Sequence, residues 1–262
     1  MDERGVTELI GYTVIFGIVL LSFSMLFLVG TTSVTDSRER TQVDNAEAAF
    51  EILAENVDEH AFDRAVGRAT EIKVADASLY FGPEESVNVT IMPDGAGSGE
   101  ENVTLYDRSS EPIVYESRDG TSVVYANGAL FREETDESRM VREPYARIDE
   151  NRTVLPQIRF SNAEGRLTIG GSETVLVRTE RLSPRFEQNT TYQEYDLEIT
   201  ITTTDRRAEA WQSYYDSFEI LECPDSRIVD LPDEGAELTC QTDGHTTAEV
   251  YVPETRLDGE FS

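Results

Sequence analysis

Three patterns of hydrophobic and polar residues follow one another along the 262-residue chain. Residues 9–30 are predominantly apolar and carry no charge, which predicts a helix of about 33 Å, long enough to cross a hydrocarbon core of roughly 30 Å. Apolar residues then recur every three or four positions, which predicts an amphipathic helix that runs to about Val66 and is closed by Gly67. From Thr70 onward, apolar and polar residues alternate, as is typical of strands.

The amphipathic stretch places six apolar residues on one helix face: Val43, Ala46, Phe50, Leu53, Val57 and Ala61. An ordinary helix packed on its own domain would show the same stripe. A second, short helix is predicted over residues 206–218, where the alternation breaks. There Trp211, Tyr215 and Phe218 fall on one side, as core residues would.

Glycine-containing turn signals separate the predicted strands: Asp119-Gly120, Asn127-Gly128 and Gly170-Gly171 are examples. Short strands at this spacing indicate an antiparallel sheet or sandwich. The predicted fold class is therefore α+β, with a long N-terminal helix (transmembrane, then amphipathic) before an antiparallel β-rich domain with one short helix. The predicted divisions are a leader at 1–5, a transmembrane helix at 6–30, a helical stalk at 31–67 and a β-rich domain at 68–262.

The apolar N-terminal run has two rival interpretations. A cleaved secretory signal would have a basic start, a shorter apolar stretch and a small-x-small site after it. This chain instead begins MDERG, and no clear Ala-x-Ala site follows the run. A buried core helix of this length without a charge would be unusual. We therefore expect an uncleaved span in contact with membrane lipid.

The residues around this run resemble a known signal. Arg4-Gly5 followed by VTELIGYTVIFGIVLL is similar to the class III signal peptide of archaeal type IV pilins and archaellins. It is also similar to the start of a group of haloarchaeal membrane proteins with pilin-like N-termini. The resemblance implies that a prepilin peptidase cuts after Gly5, that Val6 becomes the new terminus, and that the apolar helix is retained.

The same resemblance implies a role for Glu8, the third residue of such a mature chain. In bacterial pilins a glutamate near this place pairs with the terminal amine of the neighbouring subunit. The match departs from the pattern in two ways, because the bacterial glutamate is the fifth mature residue and many haloarchaeal pilins have Ser-Pro where this chain has Thr7-Glu8. In a bundle of such helices, the small residues would permit close approach: Gly11, Gly17, Ser22 and Ser24.

The charge of the chain limits the classes of partner that it can bind and the salt concentration in which it is stable. With 52 acidic and 22 basic residues, the formal net charge is -30, which repels nucleic acid. Such a charge is tolerable in concentrated salt, where screening lengths are short. Lys73 is the only lysine. Acidic, lysine-poor folded proteins resemble those of halophilic archaea, and we expect that origin.

Two further features suggest an exported domain. Four Asn-x-Thr sequons are candidate N-glycosylation sites: Asn88, Asn102, Asn151 and Asn189. Abundant threonine in strands also raises the number of sequons. Cys223 and Cys240 suggest a disulfide that closes a loop of about 17 residues, with two free buried thiols as the alternative. Arg38 and Arg40 after the span, against Arg4 before it, favour the opposite orientation weakly, but the sequons and cysteines favour an extracellular C-terminal domain.

No pattern of catalytic or cofactor-binding residues is found in the sequence. His60 and His245 are too few and too scattered for a zinc site, and no calcium loop or phosphate loop occurs. Acidic pairs occur at Glu84-Glu85, Glu100-Glu101 and Glu133-Glu134; in so acidic a chain we expect them to be solvated surface. We predict no enzymatic activity, no cofactor and no metal.

Two functional hypotheses follow. The first is a structural or minor subunit of a pilus-type or archaellum-type surface filament, which contacts other pilin-like subunits through its N-terminal helix. The second is a single-pass surface adhesin, binding module or envelope protein that does not assemble. Both place the chain in the cell membrane with its C-terminal domain outside, and the sequence does not distinguish a ligand or surface partner.

Overall fold

The structure is a computed structural model that describes residues 3–93, 101–135, 137–161, 168–182, 186–232, 235–242 and 246–262. Within those ranges, the side chains of residues 3–10, 26–37, 93, 186–194 and 246–248 are not described. The chain forms two compact units, Met1–Gln42 and Val43–Ser262. We call the second unit the head. The α+β class is confirmed, since helices precede and interrupt a strand-rich sheet.

The first helix, α1, comprises Glu3–Ala61. In the head, all six residues of its predicted stripe are buried, and Phe50, Leu53 and Val57 are completely inaccessible to solvent. The predicted end near Val66 is wrong, because the helix stops five residues earlier. Arg64 has a left-handed backbone with φ of 62°, a conformation that commonly ends helices. The residue expected to close the helix, Gly67, instead begins the first strand.

Sixteen strands, a second helix and a 3₁₀ turn are assigned in the described ranges. Their bounds are β1 Gly67–Phe81, β2 Glu85–Pro93, β3 Val103–Ser110, β4 Ile113–Ser117, β5 Ser122–Ala126, β6 Ala129–Glu134, β7 Glu137–Arg142, β8 Arg147–Ile148, β9 Arg152–Val154, β10 Gln157–Ser161, β11 Thr168–Arg181, β12 Phe186–Thr204, α2 Asp205–Tyr215, β13 Leu221–Glu222, the 3₁₀ turn Asp225–Arg227, β14 Ile228–Leu231, β15 Gly235–Thr242 and β16 Thr246–Phe261.

The strands form one mixed sheet, so the prediction of a purely antiparallel sheet needs correction. Its main path runs β13-β15-β12-β16-β11-β1-β4-β5-β6-β7. Most neighbours are antiparallel, but β9 and β10 pair with β16 in parallel. The break between β9 and β10 lies at Leu155 and Pro156, because proline cannot donate a ladder hydrogen bond.

One predicted turn is part of a strand. Gly170-Gly171 lies inside β11, opposite a register shift between Ala75 and Ala77 of β1. Gly171 has φ of 122° and Asp76 has φ of 52°, so the two strands kink together at this bulge. By contrast, Asp119-Gly120 and Asn127-Gly128 do connect strands, with positive φ at Gly120, Asn127 and Gly128.

Two hydrophobic cores lie on opposite sides of the central strands of the head. One contains the stripe of α1, and the other contains Trp211, Tyr214 and Tyr215 of α2. Strand β5 is buried along its whole length, with Val124 in the second core and Tyr125 in the first. Helix α2 confirms the predicted short helix and the burial of Trp211 and Tyr215, but it ends at Tyr215, so the predicted Phe218 lies beyond the helix and is half-buried.

Candidate functional site

The most unusual surface in the structure is the apolar part of α1 between residues 11 and 25. Ten large apolar residues there have 44–76% of their surface exposed: Tyr12, Val14, Ile15, Phe16, Ile18, Val19, Leu20, Leu21, Phe23 and Met25. They occupy nearly consecutive positions, so they cover all sides of the helix rather than one stripe. This segment therefore presents a predominantly apolar cylinder.

The polar and small residues of this segment fit apolar surroundings. The hydroxyl of Ser22 donates a hydrogen bond of 2.8 Å to the carbonyl oxygen of Ile18, so this donor is satisfied within the helix. A Cβ atom added at Gly11 or Gly17 would meet nothing within 4 Å, so both backbones are open to a neighbour. Ser24, the fourth predicted small residue, is also exposed.

Within the part of the chain whose side chains are described, no helical stretch is both long and apolar enough to cross a membrane.

The predicted processing residues lie at the start of the same helix. Arg4, Gly5, Val6 and Glu8 belong to α1, which begins at Glu3. Their side chains lie outside the described part of the structure. The processing site and the pairing of Glu8 therefore stay predictions.

The four sequons occupy different environments. Asn102 is exposed in the segment before β3, and Asn151 is exposed before β9. Asn88 is half-buried in β2, where its Oδ1 accepts a 2.7 Å hydrogen bond from Thr90. Asn189 lies on β12, and its side chain is outside the described residues.

The two cysteines form the predicted disulfide. Cys223 follows β13, Cys240 lies in β15, and their Cα atoms are 4.4 Å apart. Both residues are almost fully buried in the core that contains α2. The bond therefore ties the segment after α2 to the sheet.

A buried ionic cluster is the feature that the sequence prediction missed. Arg207 of α2 is 3% exposed, and its two terminal nitrogens contact Glu85 of β2 at 2.6 Å and Glu133 of β6 at 3.0 Å. The guanidinium Nε also lies 3.4 Å from the hydroxyl of Thr203. Burial raises the pKa of Glu85, against the lowering effect of the Arg207 charge. Two carboxylates thus share one guanidinium, and the cluster is net negative when both are ionised.

The prediction that the acidic pairs are solvated surface is wrong for Glu85 and Glu133. Glu133 is 6% exposed and also accepts a 3.4 Å hydrogen bond from Ser122. One signal of this burial is present in the sequence, because Arg207 lies four residues before Trp211 and so shares the core-facing side of α2. A long charged residue on a core-facing side requires buried counter-charges.

The cluster borders an open pocket of about 690 Å³. Glu116, Asp119, Glu133 and Asp205 line this pocket together with Arg206 and Arg207, so its charged residues are acidic in excess. The hydroxyl of Tyr80 donates a 2.9 Å hydrogen bond to Glu116, and burial together with this carboxylate raises the pKa of Tyr80 to about 12. The pocket attracts cations and repels anions. Among the described residues, however, no group of three or more metal-ligating side chains is close enough to hold a metal ion.

The contacts of His60 indicate a structural role. It is completely buried at the end of α1, with Nδ1 2.8 Å from the carbonyl oxygen of Ala65 and Nε2 2.9 Å from the hydroxyl of Thr179. Burial lowers its pKa, which favours the neutral ring. His60 thus links the helix end to β11. The other histidine of the sequence, His245, lies outside the described residues.

Comparison with known proteins adds one match. The model of a family of unknown function, DUF7289, matches residues 4–258, a range that includes both the apolar part of α1 and nearly the whole head. No curated protein and no solved structure matches the chain.

Proposed function

Because the chain belongs to the DUF7289 family of unknown function, we propose a function from its own residues: a membrane-anchored extracellular subunit of a type IV pilin-like filament, of the pilus or archaellum type, in a halophilic archaeon. The family match begins at residue 4 and extends through the head. This supports treating the apolar helix and the head as parts of one functional unit.

One observation carries the proposal: the apolar cylinder of residues 11–25. Burial of a large apolar side chain is worth about 1.5–3 kcal/mol relative to its exposure to water. Ten such side chains are exposed here at nearly consecutive positions. The summed free-energy cost of keeping them in water would therefore exceed the free energy of unfolding of an ordinary domain. Lipid, or the same helix of neighbouring subunits, would remove this cost.

The uncharged run extends beyond the described side chains. No charged residue occurs between residues 9 and 35, a stretch of sequence that could span the hydrocarbon core as a helix. With Gly11 and Gly17 open to a neighbour, such helices could approach closely in a filament core. Glu8 would then pair with the amine of Val6 in an adjacent subunit after processing.

The head has features suited to the cell exterior. Its buried disulfide between Cys223 and Cys240 fits an oxidising compartment. The strong excess of acidic residues fits concentrated salt, in which their mutual repulsion is screened. Both features agree with a C-terminal domain outside the membrane.

The test is the N-terminus of the mature protein. The full chain is produced in a haloarchaeal host, extracted from membranes and analysed by mass spectrometry. We expect a terminus at Val6. Gly5→Val should leave a precursor about five residues longer, because a branched side chain blocks the backbone from the protease cleft. Gly5→Ala, the matched control with a small side chain, should still be processed.

Assembly is tested separately, by shearing cells and probing the released filaments for this chain. Recovery in filaments supports the proposal. An intact Met1 terminus, together with extraction as a monomer by mild detergent, would instead support the non-assembling surface protein. A full-length product that is freely soluble in the cytosol would contradict both.

A further inference from the structure

We propose that Asn102 is a glycan acceptor in the folded head, in preference to Asn88 and Asn151. The inference rests on the proposed extracellular location of the head. The transferred group would be an oligosaccharide carried on a lipid phosphate. The Nδ2 atom of Asn102 forms a bond to the anomeric carbon of the sugar, the bond from that carbon to the phosphate oxygen breaks, the lipid phosphate leaves, and the amide proton passes to a base of the transferase.

Only one of the three described sequons exposes both of the residues that define it. Glycan transfer at Asn-x-Thr requires the asparagine amide and the threonine hydroxyl to be read together. Asn102 and Thr104 are both exposed. Asn102 lies immediately before β3 and Thr104 is the second residue of that strand, in a surface segment of the kind in which such acceptors occur.

The sequon of Asn88 is integrated in the sheet. Asn88 pairs with Thr200 of β12 on one side and with Asp107 of β3 on the other. Thr90 is 7% exposed, and its hydroxyl is already donated to Asn88 Oδ1. The threonine hydroxyl of this sequon is therefore engaged, and the asparagine is only half exposed on a strand that has neighbours on both sides.

The sequon of Asn151 is only half accessible. Asn151 is exposed, but Thr153 is 2% exposed. Thr153 lies in β9, where it is paired with Ile148 on one side and Val250 on the other. Thr153 is therefore buried in the head while the asparagine is exposed to solvent.

A glycan at Asn102 would also shield an open sheet edge. Strand β3 pairs with β2 and with no other strand in the described part of the sheet, and Val103 at its start is 37% exposed. Unpaired edges with apolar side chains promote pairing between molecules. A bulky, hydrated group next to Val103 would oppose such pairing.

The test uses the full chain, produced in a haloarchaeal host and extracted from membranes. Peptide mass spectrometry resolves each sequon, and protease added to intact cells reports whether the head is outside. We expect the peptide with Asn102 to carry a glycan mass and the peptides with Asn88 and Asn151 to have their sequence masses. Asn102→Gln and Thr104→Val should remove the modification, and Thr104→Ser should retain it because the hydroxyl is kept.

The possible failures are distinguishable. If protease reaches the head and the Asn102 peptide is unmodified, the glycan inference is wrong and the proposed location stands. If Asn88 or Asn151 is modified as fully as Asn102, selection by exposure is wrong, because the chain was then modified before it folded. If the head is protected from protease and unmodified, the glycan inference and the proposed function both fail.

Discussion

Arg207 is the residue on which the electrostatic balance of the head interior most depends. It contacts two carboxylates, the largely buried Glu85 and the buried Glu133, on strands that are far apart in the sequence. A buried ion pair contributes little net stability when complete, because desolvation offsets the attraction. Loss of one partner is costly, since an uncompensated charge then remains away from water.

We therefore predict that Arg207→Met destabilises the protein by about 3–5 kcal/mol. The change leaves two buried carboxylates without their cation. The measurement is urea unfolding of the detergent-solubilised full chain at constant salt.

Glu85→Gln is the matched control in the same cluster. It keeps a polar group beside Arg207 and leaves one carboxylate, Glu133, for one guanidinium. Because burial raises the pKa of Glu85 and so disfavours its charge, we expect the free energy of unfolding to stay unchanged or to rise. Equal destabilisation by Glu85→Gln and Arg207→Met would refute this view of the cluster.

At the scale of elements, the C-terminal part of α1 is a component of the head core. Its buried stripe packs against β-strand residues such as Ile72, Val74 and Leu79. Ile52 and Leu53 are adjacent in sequence, yet Ile52 is 54% exposed and Leu53 is completely buried. Alanine substitution at each of these two positions therefore compares a packed and an unpacked site of the same helix.

We predict that Leu53→Ala lowers the free energy of unfolding by about 2–5 kcal/mol, the usual cost of a cavity in a core. Ile52→Ala should change it by no more than about 0.5 kcal/mol, since an exposed site loses few contacts. Thermal unfolding of both variants, followed by circular dichroism, measures the difference. Similar melting temperatures for the two variants would mean that this face of α1 does not pack on the sheet.

The elements of this fold differ in how far the sequence predicts them. Regular spacing predicted the stripe of α1 and the aromatic side of α2, because a helix repeats its faces over a few residues. The end of α1 depends on the left-handed backbone of Arg64, which no glycine or asparagine signals. In sequence, the bulge at Gly170-Gly171 resembles a turn, since bulges and turns both favour glycine. Only the pairing of this segment with β1 shows that it is a bulge.

Long-range contacts were the least predictable part. The parallel pairing of β9 and β10 with β16 joins residues about a hundred positions apart, and no local pattern encodes it. The candidate sites likewise differ in how far the sequence predicts them. The disulfide was predictable because the chain has two cysteines, whereas the burial of Glu85 and Glu133 depends on which strands meet Arg207. The exposure of Asn102 likewise depends on where β3 lies.

For the whole molecule, net charge is the dominant property. A formal charge of -30 on 262 residues implies strong self-repulsion in dilute salt. Exposed ion pairs such as Arg118–Asp76 and Arg147–Asp149 are worth about 0–1 kcal/mol each and do not offset it. The screening length falls from about 10 Å at 0.1 M salt to about 3 Å at 1 M.

We predict that the melting temperature of the detergent-solubilised chain rises steadily with KCl between 0.1 and about 2 M, since screening relieves repulsion in the folded state. Each kcal/mol gained would raise it by roughly 2–4 °C. Sucrose at matched osmolality is the control for excluded-solute effects. If KCl and sucrose act equally, repulsion between carboxylates does not limit the stability of this protein.

The central position of β16 bears on the order in which the protein is made. This strand lies between β11 and β12 and also pairs with β9 and β10, although it comprises the residues synthesised after all of them. Until residues 246–261 emerge from the ribosome, no described strand pairs with both halves of the sheet. The complete sheet can therefore form only after this strand has been made, although the earlier strands can already pair within each half.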